Sequence, residues 1–410
     1  MNRKVWLIVI VGILLLVPYV SSVSFFMNSF NNTIEDDVSG GYDVTTTTDG
    51  GSAVTGIYDT DDGWLGMEYP FISRLDKAGQ VQWTKIIDGD LNWAGEGKGI
   101  LQSSDGGFVM VGSVLNPDNG NNHEFLVAKL SSGGNVQWLK TLSSPDYDIA
   151  NSVIQTDSGD FLVGGYTGDF TEGGTDILIA KFDASGNVIW KKNAGGGMGD
   201  YLKGMDSTSD GGFVATGYTR SYTLEADIII SKFDSTGNQL WTRLIDTSDA
   251  GYGRSVHETS DGGLVVVGDM LVSGNRQAFA IKFDSSGNQI WAKVMQTAQE
   301  DKAYSVTEIA DGGIIMTGMT YNYSVQESDV LVAKFSQDGE EQWTKIYEER
   351  GNDTGYGVSK AENGGFVLAG VSHDHEDDYQ TLIAKIDSNM GLAGSKNMKQ
   401  INGAWSDWSS

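Results

Sequence analysis

The chain of 410 residues contains no cysteine. Disulfide bonds, thiolate metal sites, a cysteine nucleophile and a lipidated N-terminal cysteine are therefore excluded. Because exported prokaryotic proteins often lack disulfides, the absence agrees with export but does not establish the compartment. Proline is also rare, with 4 residues against 55 glycines. This balance favours many glycine-dependent turns over proline-rich linkers.

Basic side chains are few: 27 Lys and Arg stand against 55 Asp and Glu, and the formal net charge is −28. Such a surface repels nucleic-acid backbones and anionic membranes, so we expect neither as a partner. Two interpretations of the acidity stay open. It serves solubility or a salty habitat, or it binds cations or a basic partner.

Long apolar runs are confined to the N-terminus. Arg3 and Lys4 precede an apolar stretch over residues 5–17, and small residues follow at 21–24. This pattern predicts that residues 1–26 are a signal peptide or a retained N-terminal membrane anchor. Both alternatives export the rest of the chain. The predicted location is therefore secreted or cell surface, with membrane contact only through this segment.

Three sequence markers share one period of about 50 residues, which indicates an internal repeat. A glycine turn, usually Asp-Gly-Gly but Asp-Ser-Gly in the third copy, ends at Gly51, Gly107, Gly159, Gly212, Gly263, Gly313 and Gly365. A basic residue recurs in step at Arg74, Lys129, Lys181, Lys232, Lys282, Lys334 and Lys385. A tryptophan follows it at Trp83, Trp138, Trp190, Trp241, Trp291 and Trp343.

Each period predicts four short strands, A to D. In the fourth copy these are residues 203–209, 213–218, 228–234 and 238–243. Asp-Gly pairs suit the tight turns between them. Seven such units predict an all-β, seven-bladed β-propeller of four-stranded antiparallel blades over residues 27–395, followed by a C-terminal tail at 396–410. A solenoid is the alternative, but no end cap is evident.

The seventh copy lacks a tryptophan strand, which raises the question of ring closure. Counting back from Asp49 by the spacing of the other copies reaches Phe30. We therefore expect residues near 27–34 to supply the outer strand of blade 7, with Phe30 in the tryptophan position. The alternative is that residues 394–401 supply it.

The repeated tryptophans are predicted to pack between blades, because a residue found in every copy serves what every copy needs. A small residue usually precedes the basic one, as Ala180 precedes Lys181. We expect it to lie opposite the tryptophan and leave room for the indole.

Binding residues are expected in the B–C and D–A connections, which vary most and share one face of the disc. Aromatic residues in the D–A connections are candidates for stacking on a sugar ring or a peptide if they rim the central channel. They are Trp93, Tyr147, Tyr201, Tyr252, Tyr304 and Tyr356. The alternative is that they fill the channel or pack between blades.

One B–C connection suggests a metal site. It holds His373, His375, Glu376 and Asp377. Histidine and carboxylate ligands suit Ca²⁺ or another divalent metal, although an acidic solvated loop is the simpler interpretation. No cofactor is predicted otherwise. The sequence contains no Gly-x-Ser-x-Gly, His-Glu-x-x-His or phosphate-loop motif, so no catalytic residue is assigned.

The stretch Lys-Phe-Asp-x-x-Gly-Asn-x-x-Trp at 181–190 resembles the Trp-docking, PQQ-like propellers, which include quinoprotein dehydrogenases and outer-membrane assembly lipoproteins. The Asp-Gly-Gly-Phe turns resemble exported propellers of bacteria and archaea. The resemblance implies the fold. It implies no cofactor, because the quinoprotein site has no counterpart residue by residue and the lipoproteins' acylated cysteine is absent.

Three functions remain open at this level. The first is a non-enzymatic extracellular or cell-surface propeller that binds a glycan or an envelope protein through its variable face. The second is a propeller enzyme: a glycosidase, a lyase or a quinone-dependent oxidoreductase. The third is a structural subunit of a cell-surface assembly held by its N-terminal segment.

Overall fold

The structure, a computed structural model, describes most of the chain from residue 26 onward. The described ranges are 26–30, 38–60, 67–87, 94–116, 122–142, 144, 147–168, 174–222, 225–247, 249–347, 351–361, 364–373, 379–386, 398–401 and 405–407. The predicted signal or anchor, apart from its last residue, lies outside them. Within them, no helix is long and apolar enough to cross a membrane.

Short runs rich in apolar and β-branched residues form strands between glycine turns, and these strands build seven antiparallel sheets. Blade 1 contains β2 (Val38–Thr46), β3 (Ser52–Thr60), β4 (Met67–Leu75) and β5 (Val81–Ile86). Blade 2 contains β6 (Gly95–Gln102), β7 (Phe108–Asn116), β8 (Asn122–Leu130) and β9 (Val136–Leu142). Blade 3 contains β10 (Asp148–Gln155), β11 (Phe161–Thr167), β12 (Asp176–Phe182) and β13 (Val188–Ala194).

The remaining blades repeat this order. Blade 4 contains β14 (Asp200–Ser207), β15 (Phe213–Thr219), β16 (Asp227–Phe233) and β17 (Gln239–Ile245). Blade 5 contains β18 (Gly251–Glu258), β19 (Leu264–Val272), β20 (Asn275–Phe283) and β21 (Gln289–Met295). Blade 6 contains β22 (Glu300–Glu308), β23 (Ile314–Asn322), β24 (Glu327–Phe335) and β25 (Glu341–Tyr347). Blade 7 contains β26 (Asn352–Lys360), β27 (Phe366–His373), β28 (Tyr379–Ile386) and β1 (Phe26–Phe30).

Seven clusters of buried apolar side chains hold the ring together, one at each interface between neighbouring blades. The interface between blades 7 and 1 is built like the others: Val44 and Val54 pack with Val367, Ala369 and Ile383. The chain is a closed seven-bladed β-propeller, as the repeat predicted.

The N-terminal strand closes the ring, because β1 pairs with β28. Its register differs from the expectation. Phe26 lies opposite Lys385, the position that tryptophan takes in blades 1–6, and Phe30 lies opposite Thr381. The prediction for Phe30 was wrong because it assumed the usual distance from the closing strand to the first turn. The strand pairs four residues earlier in the chain.

The C-terminal residues join the ring instead of completing blade 7. Strand β29 (Met398–Ile401) pairs with β25 of blade 6, and β30 (Trp405–Asp407) pairs with β21 of blade 5. Each adds a fifth strand to the outer edge of its blade, where unpaired backbone groups would otherwise be exposed.

The repeated tryptophans dock onto the next blade. The indole nitrogen of Trp138 donates a hydrogen bond to the Ala184 carbonyl at 3.1 Å. Trp83 and Trp291 make the equivalent bonds from blades 1 and 5, to the carbonyls of Ser132 and Gln337. Gly186 sits against the ring with φ of 81°, and a Cβ there would lie 2.7 Å from Cδ2 of Trp138. The turn therefore needs glycine for both its conformation and its contact.

The repeated basic residues anchor the turns between strands A and B. Six of the seven reach an aspartate at or beside that turn, in the pairs Arg74–Asp49, Lys129–Asp105, Lys181–Asp160, Lys232–Asp210, Lys282–Asp261 and Lys334–Asp311. The seventh, Lys385, donates to the Gly50 carbonyl in the turn of blade 1 at 3.2 Å. The basic residue also lies opposite the tryptophan, as Lys181 lies opposite Trp190. The expectation that Ala180 would face the tryptophan was wrong, because a bulge beside Lys181 shifts the pairing and sets Ala180 opposite Lys191.

Candidate binding site in the central channel

The innermost strands of the seven blades surround a central channel with a cavity of about 340 Å³. In every blade the innermost strand has one residue without a partner in the neighbouring strand. This residue occupies the equivalent position in all seven repeats. A bulge of this kind re-aims a side chain. We call these seven residues the channel ring; they are Tyr42, Lys98, Asn151, Lys203, Arg254, Tyr304 and Tyr356.

Five members of the channel ring form a continuous arc. The Lys98 ammonium lies 4.2 Å from the centre of the Tyr42 ring, and Tyr42 packs edge-on against Tyr356 at 5.3 Å. Tyr356 contacts Tyr304 at 4.8 Å, and the Arg254 guanidinium lies 4.8 Å from the centre of the Tyr304 ring. The arc therefore has a cation at each end packed on an aromatic face, an arrangement that stabilises desolvated cations.

Lys203 continues the ring on the other side. Its ammonium lies 4.8 Å from the centre of the Tyr166 ring and 6.0 Å from that of Tyr201. Burial, together with repulsion from Arg254 and Lys98, lowers the pKa of Lys203 to about 8. The attraction of Glu96 opposes this shift without overcoming it.

The other two cations of the ring have carboxylate partners. Lys98 pairs with Glu96 at 2.6 Å. The Nε of Arg254 donates to the fully buried carboxylate of Asp269 at 2.5 Å, and Asp269 also receives Arg276. In the part of the chain that the structure describes, no carboxylate lies within ion-pair distance of Lys203. Lys203 is thus a desolvated cation that, among the described residues, packs on aromatic faces without an ion-pair partner.

A belt of tyrosines lies beside the channel ring in blades 3–5. Tyr166 meets Tyr201 edge-on at 5.0 Å, Tyr201 stacks on Tyr218 at 4.5 Å, and Tyr218 meets Tyr252 edge-on at 4.7 Å. Burial raises the pKa of Tyr218 to about 12. The phenol therefore stays protonated at neutral pH and is available as a hydrogen-bond donor.

The end of the channel beside the A–B turns is acidic. The buried carboxylate of Asp43 accepts hydrogen bonds from the amides of Val44 and Ile100, and burial raises its pKa to about 7. Asp206 pairs with Nδ1 of His257 at 2.8 Å and holds the pKa of His257 above its ordinary value, against the effect of burial. Cations and phenols thus stand nearer the other end of the channel.

The structure places the predicted aromatic residues at different points. Tyr304 and Tyr356 belong to the channel ring. Tyr201 and Tyr252 lie two residues earlier in their strands and form part of the tyrosine belt. Tyr147 precedes β10, is 45% exposed and packs on His123 at 4.3 Å.

Trp93 lies outside the described residues. Sequence reasoning missed five members of the channel ring, namely Tyr42, Lys98, Asn151, Lys203 and Arg254. Their common signal is a fixed distance of eight residues before the glycine with positive φ in the following turn, as Lys203 precedes Gly211.

The metal site remains a prediction. His373 is the last residue of β27, whereas His375, Glu376 and Asp377 lie outside the described residues. Among the described residues, no group of three His, Asp or Glu side chains is placed to hold a metal ion.

Comparison with known proteins gives neighbours by structure alone. No family model matches the chain, and no curated protein is similar to it in sequence. The fold is similar to that of YCF48 bound to D1 peptide, with 11% identity, a TM-score of 0.51, and coverage of 90% of this chain and 97% of that one. These values show a shared fold alone.

Two further solved structures are similar to this chain with comparable scores. A protein of unknown function from Dyadobacter fermentans has 12% identity and a TM-score of 0.49, with 88% of this chain and 99% of that one covered. The propeller domain of the Trilobed protease from Pyrococcus furiosus has 14% identity and a TM-score of 0.48, with 90% and 96% covered.

Proposed function

We propose that this chain is a non-enzymatic binding propeller, secreted or held at the cell surface, that recognises a polypeptide partner through the channel ring and the face carrying the B–C and D–A connections. The observation that carries the proposal is the ring itself. Seven equivalent bulges aim three cations, three tyrosines and an asparagine at one level of the channel. Tyrosine and arginine are the side chains that most often dominate the energetics of protein interfaces.

The rigid disc suits this role. Each blade presents its own connection at the face, while the seven interblade clusters hold the platform. The structural neighbour YCF48, described as bound to D1 peptide, is a propeller-like fold of similar extent in a peptide complex. It supports the plausibility of a polypeptide partner and assigns no residue here.

A glycan is the second candidate. Tyr147 leaves 45% of its surface exposed beside the tyrosine belt, and an open phenol ring can stack on a sugar.

The test uses the full-length chain and a phage library of random peptides. Peptides selected on the wild type are measured against Tyr147→Asp on the proposed face and Ser104→Asp on the opposite face. Both sites are exposed, and both substitutions add one negative charge. We expect Tyr147→Asp to weaken the selected peptides about tenfold or more, as loss of an interface hot spot does, with Ser104→Asp unchanged.

Equal effects of the two substitutions, or no peptide selected at all, would refute the polypeptide proposal. A glycan array probed with the same three proteins tests the second candidate. A glycan that binds the wild type and Ser104→Asp but not Tyr147→Asp would replace the polypeptide as the ligand.

A further inference from the structure

We infer that the channel ring binds a single carboxylate of the polypeptide partner, held by Lys203 together with the free end of the Arg254 guanidinium. This inference rests on the proposed function and specifies the chemical group that enters the channel.

The first argument is charge. In a chain with a net charge of −28, three equivalent positions of the repeat bring Lys98, Lys203 and Arg254 to one level of the channel. Glu96 partners Lys98, and Asp269 partners Arg254. One positive charge, that of Lys203, has no partner among the described residues. A cation removed from water without a counter-ion is costly, and a charge-assisted hydrogen bond to a carboxylate offsets that cost.

The second argument is the geometry of Arg254. Only its Nε donates to Asp269. The two terminal nitrogens make no hydrogen bond with any described residue, and the guanidinium lies over Tyr304. A guanidinium has five donors in a planar fork that fits a carboxylate. Arg254 therefore has donors left for a second carboxylate beside Lys203.

The third argument compares a carboxylate with a phosphate and a sugar as ligands. One unpaired positive charge matches a singly charged carboxylate better than a doubly charged phosphate. Cations cover a face of Tyr42, Tyr304 and Tyr252, and Tyr201 stacks on Tyr218. Ring faces used in this way are less available to stack on a sugar, which favours an acidic peptide over an acidic glycan.

The direction of entry follows from the proposed function, in which the face of the B–C and D–A connections meets the partner. A carboxylate of that partner therefore enters the channel from this face. Since the blades wall the channel on all sides, the group that reaches Lys203 is an acidic side chain or a C-terminal carboxylate.

The experiment titrates full-length protein with defined hexapeptides and follows lysine side-chain NMR signals. One peptide, blocked at both ends, carries a single glutamate; a second has glutamine in its place. A third has no acidic side chain and a free C-terminus. A phosphoserine peptide and trigalacturonate complete the set. The variants are Lys203→Met, Lys203→Arg and the control Lys191→Met, which removes an exposed lysine of β13.

We expect the glutamate or free-C-terminus peptide to bind, and the glutamine peptide to bind about tenfold more weakly, as expected for one charged contact. Lys203→Met should lose the preference for a carboxylate, and Lys203→Arg and Lys191→Met should keep it. Lys203→Met should also melt no lower than the wild type, because it removes a desolvated and unpaired cation. The comparison of the two acidic peptides identifies which carboxylate enters.

Binding of the glutamine peptide as tight as that of both carboxylate peptides, or an undiminished carboxylate preference in Lys203→Met, would overturn the inference. Tighter binding of the phosphoserine peptide or of trigalacturonate than of both carboxylate peptides would also overturn it. If phage-selected peptides depend on Tyr147 but contain no acid and ignore Lys203, the carboxylate inference fails while the proposed function stands. If no peptide depends on Tyr147, the proposed function itself fails.

Discussion

In the ion pair between Lys232 and Asp210, we predict that removal of the aspartate destabilises the fold more than removal of the lysine. The Lys232 side chain is 8% exposed, whereas that of Asp210 is 53% exposed. The ammonium lies 2.6 Å from Oδ2 of Asp210, whose Oδ1 accepts the Thr208 hydroxyl at 2.6 Å. Removal of the buried member leaves an acid that water can solvate. Removal of the exposed member leaves a buried cation without its counter-ion.

The magnitudes follow from this difference. Lys232→Met loses one charge-assisted hydrogen bond at a half-exposed acid, and we expect a cost of about 1 kcal/mol after solvent screening. Asp210→Asn leaves Lys232 buried and unpaired, and we expect about 2–3 kcal/mol, below the full cost of a broken buried pair because the amide oxygen still accepts a hydrogen bond. The double variant should be more stable than Asp210→Asn alone.

Urea denaturation of the four proteins, followed by tryptophan fluorescence, measures these differences. The same pair of substitutions at Lys129 and Asp105 in blade 2 serves as a replicate, since their exposures of 3% and 56% are similar. If Lys232→Met costs as much as Asp210→Asn, or if the double variant is the least stable, the argument from desolvation is wrong.

Three further predictions test other parts of the fold. Gly186→Ala should lower the free energy of unfolding by about 1–3 kcal/mol, because φ is positive and the methyl group meets Trp138; Gly197→Ala, which meets nothing within 4 Å, should be neutral in the same melt. The pKa of Asp43 is raised to about 7, so the folded state binds its proton more tightly than the unfolded chain. This contribution to stability is present at pH 4 and is lost as the pH rises through 7, and a urea midpoint that does not fall over that range, relative to Asp43→Ala, would contradict it. Deletion of residues 387–410 removes β29 and β30, and faster amide hydrogen exchange in β21 and β25 should follow while exchange in β5 and β9 stays the same.

The fold was predictable because its determinants are local and repeated. The turn glycines, the basic residue and the tryptophan each recur seven or six times, and a unit that cannot bury its own core must pack on its neighbours. The closing strand was also predictable from the missing tryptophan of the seventh copy. Its register was not, because the register depends on which of several apolar residues pairs with β28, and Phe26 rather than Phe30 takes the tryptophan position.

The repeat also indicated that the tryptophans and basic residues belong to the framework. It did not predict that they lie opposite each other across the C–D hairpin. A bulge beside Lys181 in the C–D hairpin shifts the register by one residue. Alternation of side chains along a strand predicts faces only where the pairing is regular. The bulge therefore decided which residue faces the indole.

The sequence by itself determined an all-β chain of seven equivalent units, and with it the existence of a central channel. The tertiary structure alone decided what lines that channel. Lys98, Lys203 and Arg254 lie in three different blades, and only closure of the ring brings them to one level. All three residues line the channel because a bulge in each innermost strand re-aims one residue, and the loss of water there gives Lys203 its altered pKa. Convergence and desolvation are properties of the closed ring, so no single repeat contains them.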